Sequence, residues 1–176
     1  SPQLLIRLFN EMIIVAEEKT PKLLKRKVLG RRDVRSLKGE AGILLGPIDT
    51  NAVSQATLED NSKLYFFKKE AILAKKKNIL FPTLINPVLE GLPSALVDMG
   101  AIPYVCNGAD VMAPGIMGIE GEFKKGGLLV IRDVNHKKAL GVGSAIFTSE
   151  EMRRLKKGKV ILNLHYVGDK IWASIS

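Results

Sequence analysis

Val97-Asp98-Met99-Gly100-Ala101-Ile102, followed closely by Asn107-Gly108-Ala109-Asp110-Val111-Met112-Ala113-Pro114-Gly115-Ile116, is where the fold is decided. Ala101 to Cys106 is apolar enough for a strand. Asn107 to Met112 reads as a helical turn that must stop before Pro114, because proline disfavours helical backbone in the residue preceding it. Downstream, Gly127 to Arg132 and Ala139 to Phe147 are rich in β-branched residues and read as strands. Thr148 and Glu151 stand at capping-box spacing, which starts a short helix through Leu155 that Gly158 ends. Val160 to Val167 and Lys170 to Ile175 flank Gly168-Asp169, which predicts a two-residue hairpin with glycine first. Many short strands with two small helices predict a compact barrel.

Upstream, Glu90-Gly91-Leu92-Pro93 is the expected junction between two halves, with no Ser/Gly linker, so the halves are expected to pack together. Within the first half, Ile43 to Leu45, Ala52 to Leu58, Leu64 to Phe67 and Ala71 to Ala74 read as strands, and Pro82 opens a helix over Thr83 to Leu89. Lys27 to Leu29 is a candidate strand. Gly30 is a candidate N-cap for a helix with Val34, Leu37 and Ala41 as its apolar stripe. Leu5, Leu8, Phe9, Met12, Ile13 and Ala16 recur at helical spacing, predicting a helix over residues 3–18. The expected division is an N-terminal helix over 1–24, an α/β domain over 25–92 and a barrel over 93–176.

The 176 residues carry 27 Lys and Arg against 18 Asp and Glu, a net charge of +9. That excess favours a polyanionic partner through counterion release. Over residues 22–38, eight basic residues face Asp33 alone, a local charge of +7. Cys106 is the single cysteine, which excludes an intramolecular disulfide and suits a reducing cytoplasm. Leu4 to Val15 is interrupted by Arg7, Asn10 and Glu11, so no membrane segment is expected there. His136 and His165 with one cysteine lack zinc-site spacing, and neither a metal nor a cofactor is expected. His165 alternates with Leu164 and Tyr166, which predicts a surface or partly packed histidine. Gly141-Val142-Gly143-Ser144 is followed by no phosphate-loop lysine and is no nucleophile elbow. Asp98 and Asp110 have no visible acid–base partner. Nothing in the sequence assembles an active site.

The Val97–Ile102 and Asn107–Ile116 runs resemble the first strand, helix and following loop of PUA domains, named after pseudouridine synthase and archaeosine transglycosylase. Asn163-Leu164-His165-Tyr166-Val167-Gly168-Asp169-Lys170-Ile171-Trp172 is similar to the last hairpin of one branch, the malignant T-cell-amplified-sequence family with ligatin and archaeal relatives. Phe81-Pro82-Thr83-Leu84 looks like the end of the pre-PUA domain that precedes the barrel there. The similarity spans roughly residues 25–174. Gly30 stands where the family usually has Ser or Thr, and the N-terminal helix lies outside the resemblance. The implied fold is α+β: an α/β pre-PUA domain followed by a PUA pseudo-β-barrel. The implied function is non-catalytic binding of structured RNA, tRNA or ribosomal RNA, in translation or RNA processing and modification, with no DNA or membrane partner.

Carried over by position, the candidate RNA face is Asn107, Gly108, Ala109, Met112, Pro114 and Gly115, with Lys124 and Lys125 nearby in sequence. Gly108 and Gly115 would permit close backbone approach and leave N–H groups for phosphate oxygens. The competing reading is a tight turn that needs glycine only for its dihedrals. Arg26, Lys27, Arg31, Arg32 and Arg35 form a second candidate phosphate-contacting surface, or a solvated helix face. Lys75-Lys76-Lys77, Arg153-Arg154 and Lys156-Lys157 read as solvated faces. The alternatives to RNA binding are a module docking on a ribosome-associated protein partner and an accessory subunit of an RNA-modifying enzyme.

Overall fold

The computed structural model describes residues 3–4, 6–11, 25–46 and 52–175. Helix α1 is described over residues 6–11; residues 12–18 of the expected N-terminal helix lie outside the described residues. The first half contains β1 (Lys25–Val28), α2 (Arg31–Ala41), β2 (Val53–Thr57), β3 (Lys63–Phe67), β4 (Glu70–Lys76) and β5 (Ile79–Pro82). Its strands form an antiparallel sheet in sequence order. The second half contains β6 (Ser94–Val97), α3 (Ile102–Val105), β7 (Val111–Met112), β8 (Ile116–Glu120), β9 (Leu128–Asp133), β10 (Ala139–Ala145), α4 (Ser149–Arg154), β11 (Lys159–Tyr166) and α5 (Lys170–Ile175).

The second sheet runs β7-β11-β10-β9-β6-β8, so β7 and β8 are its two edges. Laid flat, six strands would separate those edges by about 24 Å. Only the 3-10 turn Ala113–Gly115 joins β7 to β8, and the chain from Met112 to Ile116 reaches at most about 14 Å. The sheet therefore curls until its edges approach, giving the expected pseudo-barrel. Leu129, Ile131, Leu140 and Ile161 fill its interior with Val97 and Ile102.

The alternate residues of the same strands, Val130, Val142 and Leu164, point outward and pack with Ile171 against Leu64, Phe66, Ala74 and Phe81 of the first sheet. The other face of that sheet is covered by α2 through Leu37 and Ala41, which meet Tyr65, Phe67 and Leu73. Burial on both faces explains why β3 and β4 read as continuous apolar runs instead of alternating.

Several expected elements change type. Ile43 to Leu45 lies in a 3-10 turn (Gly42–Leu45), because Gly42 adopts φ 51° and its amide caps α2 on the Lys38 carbonyl. Thr83 to Leu89 is a hydrogen-bonded turn, Asn86 N donating to the Thr83 carbonyl at 3.0 Å, followed by a 3-10 turn at Pro87–Gly91 capped by Asn86, while Pro82 ends β5. The expected strand Ala101–Cys106 is helical: the Asp98 side chain accepts from Ala101 N at 3.0 Å, and Pro103 sits in the first turn of α3. Asn107–Met112 is a turn leading into β7, so the helix precedes the position assigned to it. Lys170–Ile175 is α5, not the second strand of a hairpin. Asp169 caps it, its Oδ1 accepting from Trp172 N at 2.7 Å. The capping box at Thr148 and Glu151 holds, with both reciprocal bonds formed.

Candidate nucleic-acid interface

The turn after α3 is built from its backbone outward. The Tyr104 carbonyl accepts from Asn107 N (3.1 Å) and Ala109 N (3.0 Å), and the Val105 carbonyl accepts from Gly108 N (3.1 Å). Beneath it, the buried Asn163 side chain donates to the carbonyls of Val105 (2.9 Å) and Ala109 (3.0 Å). Asn163 N also donates to Asp110 Oδ1 at 2.8 Å. The amides of residues 107–109 are thus consumed within the turn and are not free for phosphates. Gly108 adopts φ 92°, and a Cβ there would lie 3.1 Å from Tyr166 Oη. For Gly108 the turn reading prevails, while Gly115 has an ordinary φ and room for a methyl group.

What the turn presents is side chains. Asn107, Ala109, Met112 and Pro114 are exposed, and Gly115 is partly buried. Lys124 and Lys125 are exposed, and their side chains make no ion pair or hydrogen bond among the described residues. They are set apart from the turn along the sheet. Gly126 N donates to the Ala145 carbonyl, Ala145 pairs with Ile161 and Ile161 with Val111, so β10 and β11 intervene along the sheet.

Other lysines come nearer. The Ala113 amide donates to the Gly158 carbonyl at 2.8 Å, which brings the Lys156-Lys157 segment beside the Pro114 loop. Lys159 pairs with Asp110 at 2.9 Å. Burial alone would raise the Asp110 pKa, but the Asn163 amide, Lys159 and the charge of Lys77 outweigh it and hold the carboxyl below the ordinary aspartate value. The charge of Lys77, from the first half, thus acts on the same carboxyl. It occupies the β4–β5 hairpin turn with φ 51°, followed by Asn78 with φ 62°, as a type I′ turn requires. Sequence separation hid this convergence, and no local motif signals it.

The second basic surface is divided. Arg26 lies over the Phe66 ring at 4.3 Å and donates to Ser54 Oγ at 3.3 Å, so it serves its own sheet. Lys27, Arg31, Arg32 and Arg35 are exposed. Arg31 and Arg32 begin α2, where cations oppose the helix dipole, so helix stability does not account for them. α2 covers the sheet face opposite the barrel, which separates this surface from the Asn107 turn.

His165 is fully buried, contrary to expectation. Its Nδ1 lies 2.8 Å from Asp169 Oδ2, and its Nε2 accepts from Leu84 N at 3.2 Å, tying the two halves together. Burial foremost, and the negative Asp169, push the Cys106 thiol up to about 12, so it remains protonated and unreactive at neutral pH. Gly141 and Gly143 are packing glycines: added Cβ atoms would collide with the His165 carbonyl and with Ile161. Among the described residues, no three His, Cys, Asp or Glu side chains gather as a metal site, and no helix is long and apolar enough to cross a membrane.

Residues 93–167 match the family model for the PUA domain, the class that the curled sheet defines. An uncharacterised protein of Methanocaldococcus jannaschii is 39% identical over 155 residues, covering 84% of this chain and 95% of that protein. Translation machinery-associated protein 20 of Saccharomyces cerevisiae is 32% identical over 122 residues, covering 65% of this chain and 67% of that protein. Malignant T-cell-amplified sequence 1 of Rattus norvegicus is 29% identical over 117 residues, with coverage of 64% and 61%. A solved PUA domain from Aeropyrum pernix superposes with a TM-score of 0.71 at 22% identity, over 86% of this chain and 90% of that one. The chain belongs to the PUA-domain family that includes translation machinery-associated protein 20 and the malignant T-cell-amplified sequence proteins.

Proposed function

We propose that this protein binds structured RNA, tRNA or ribosomal RNA, as a non-catalytic component of translation or of RNA processing and modification. The observation that carries the reading is the gathering of Lys156, Lys157 and Lys159 beside the exposed Asn107, Ala109, Met112 and Pro114, with the charge of Lys77 acting on Asp110 in the same turn. Phosphate contacts of this kind position RNA without reading its sequence. Two side chains suited to catalysis are otherwise occupied, which supports a non-catalytic role: the Cys106 thiol stays protonated, and His165 spends both ring nitrogens on structural contacts.

Lys124 and Lys125 belong to the proposed face as an outlying pair. The contrast with Arg153 and Arg154 tests it. Arg153 is bound to Glu122 at 2.9 Å and Arg154 to Glu150 at 2.6 Å, whereas the Lys124 and Lys125 side chains have no acidic partner among the described residues. Reversing either pair to Glu changes net charge equally, so general steering falls alike. Titration of a labelled tRNA transcript should show the Lys124→Glu, Lys125→Glu double weakening binding more than the Arg153→Glu, Arg154→Glu double. Equal losses would mean that RNA meets a diffuse positive body, and a larger loss from the arginines would displace the face.

Docking on a ribosome-associated protein is a second reading. It is favoured by two apolar side chains of the first half, Val28 and Ile43, exposed at 80% and 79%. Partner capture that survives nuclease treatment is its test.

A further inference from the structure

Between α2 and the first sheet lies a cavity of about 280 Å³ whose floor is built by strand register. Lys27 of β1 stands opposite Gln55 of β2, and Gln55 stands opposite Tyr65 of β3. These three line the cavity as a row across one sheet face, about 5 Å apart from strand to strand. The next row holds Lys63 of β3 directly opposite Lys75 of β4. Like charges so placed destabilise a sheet, so the sheet itself does not account for them. Glu40 of α2 neutralises Lys75, its carboxylate oxygens accepting at 2.9 and 3.1 Å. Lys27 and Lys63 have no acidic partner among the described residues.

Tyr65 supplies an independent observation. It is only 6% exposed, yet its hydroxyl makes no hydrogen bond among the described residues, whereas a buried tyrosine hydroxyl usually finds a partner. Burial foremost, and the charge of Glu40, raise its pKa above the ordinary tyrosine value, so it stays a proton donor at neutral pH. The Gln55 amide beside it adds N–H donors. Two ammonium groups and two neutral donors thus await an anion with several oxygens. Lysine acts as a point charge suited to phosphate, while carboxylates are held best by the arginine fork, and no arginine lines this cavity. On the opposite wall, Asp33 and Ser36 of α2 offer acceptors that suit hydroxyl groups. The volume is slightly below the roughly 300–1,000 Å³ of drug-sized clefts, which favours a small ligand.

We propose that this cavity binds a phosphate monoester of sugar-phosphate size, its phosphate held by Lys27, Lys63, Gln55 and Tyr65 and its hydroxyls by Asp33 and Ser36. The site lies on the sheet face opposite the barrel and does not rest on the RNA-binding reading above. A free sugar phosphate and the 5′-phosphorylated end of an RNA share this chemistry.

The test is calorimetric titration of the whole chain with ribose 5-phosphate, with ribose as the uncharged control. The parent should bind the phosphate saturably and ribose not at all. Lys63→Gln and Tyr65→Phe should each weaken binding by about tenfold, the order of a hydrogen bond to a charged group. Lys69→Gln removes an exposed lysine outside the cavity and should leave binding unchanged. Because Lys63 is exposed and phenylalanine keeps the buried ring, the variants should retain the parent amide spectrum. No saturable binding to the parent overturns the site, as does a loss from Lys69→Gln equal to that from Lys63→Gln, or a Tyr65→Phe variant that binds like the parent. A second arm uses a short single-stranded RNA with and without a 5′-phosphate. Tighter binding of the phosphorylated form, lost in Tyr65→Phe, upholds the site with an RNA end as its ligand. Equal binding of the two, with ribose 5-phosphate still bound, upholds it with a free sugar phosphate.

Discussion

Asp110 shows how one residue serves fold and site together. Its carboxylate accepts from Asn163 N and pairs with Lys159, anchoring the turn from β11. Because its folded pKa is depressed, the stabilisation it gives is fully present above the unfolded value of about 3.9. It is lost as the pH falls through the lower folded value. Asp110→Asn should therefore destabilise the protein by roughly 1 kcal/mol at pH 7, and the difference from the parent should vanish at the acid end of a urea-denaturation series. A pH-independent difference would mean that the charge is irrelevant. The sequence displayed Asp110 but not its partners, since Lys159, Asn163 and Lys77 are remote along the chain. His165 was misplaced for a related reason: strand alternation assigns it a face, but the face opposite Leu164 is itself covered, by the Leu84 segment.

At the scale of elements, β2, β3, β4, β9, β10 and β11 were legible because apolar, β-branched or aromatic runs sit between turn residues. Helix α4 was legible from its capping box. β5, β6 and β8 were not recognised, because short apolar runs such as Ile79-Leu80-Phe81 carry no period long enough to read. Asp169 illustrates the ambiguity that remains: Gly168-Asp169 suits a hairpin turn, yet the same aspartate is a good helix N-cap. Its carboxylate accepts from Trp172 N, from Tyr166 N at 3.0 Å and lies beside His165 Nδ1. Asp169→Ala should thus cost more than the ~1 kcal/mol typical of a lost cap, because it also strips His165 and the β11 terminus of a partner. Chemical denaturation provides the value. A loss of only cap size would show that the His165 contact contributes nothing.

For the whole molecule, the pseudo-barrel and its class were legible from the ordered runs near Asn107 and Asn163, while the sharing of one core by both halves was only anticipated as packing. We propose residues 25–92 and 93–176 as structural units that are not energetically independent. A fragment starting at Pro93 uncovers Val130, Val142, Leu164 and Ile171, each worth about 1.5–3 kcal/mol when fully buried. That sum is comparable with the 5–15 kcal/mol of a whole domain. The fragment should melt well below the intact chain and self-associate, as calorimetry and light scattering would report. A fragment as stable as the parent would establish two autonomous domains. The central claim, that a lysine-lined face spanning both halves engages RNA phosphates, is tested most directly by the affinity of the intact protein for a tRNA transcript as a function of salt. With about six phosphates contacted, affinity should fall roughly a thousandfold between about 50 and 200 mM salt. A flat dependence, or no binding at the lower salt, would contradict the account.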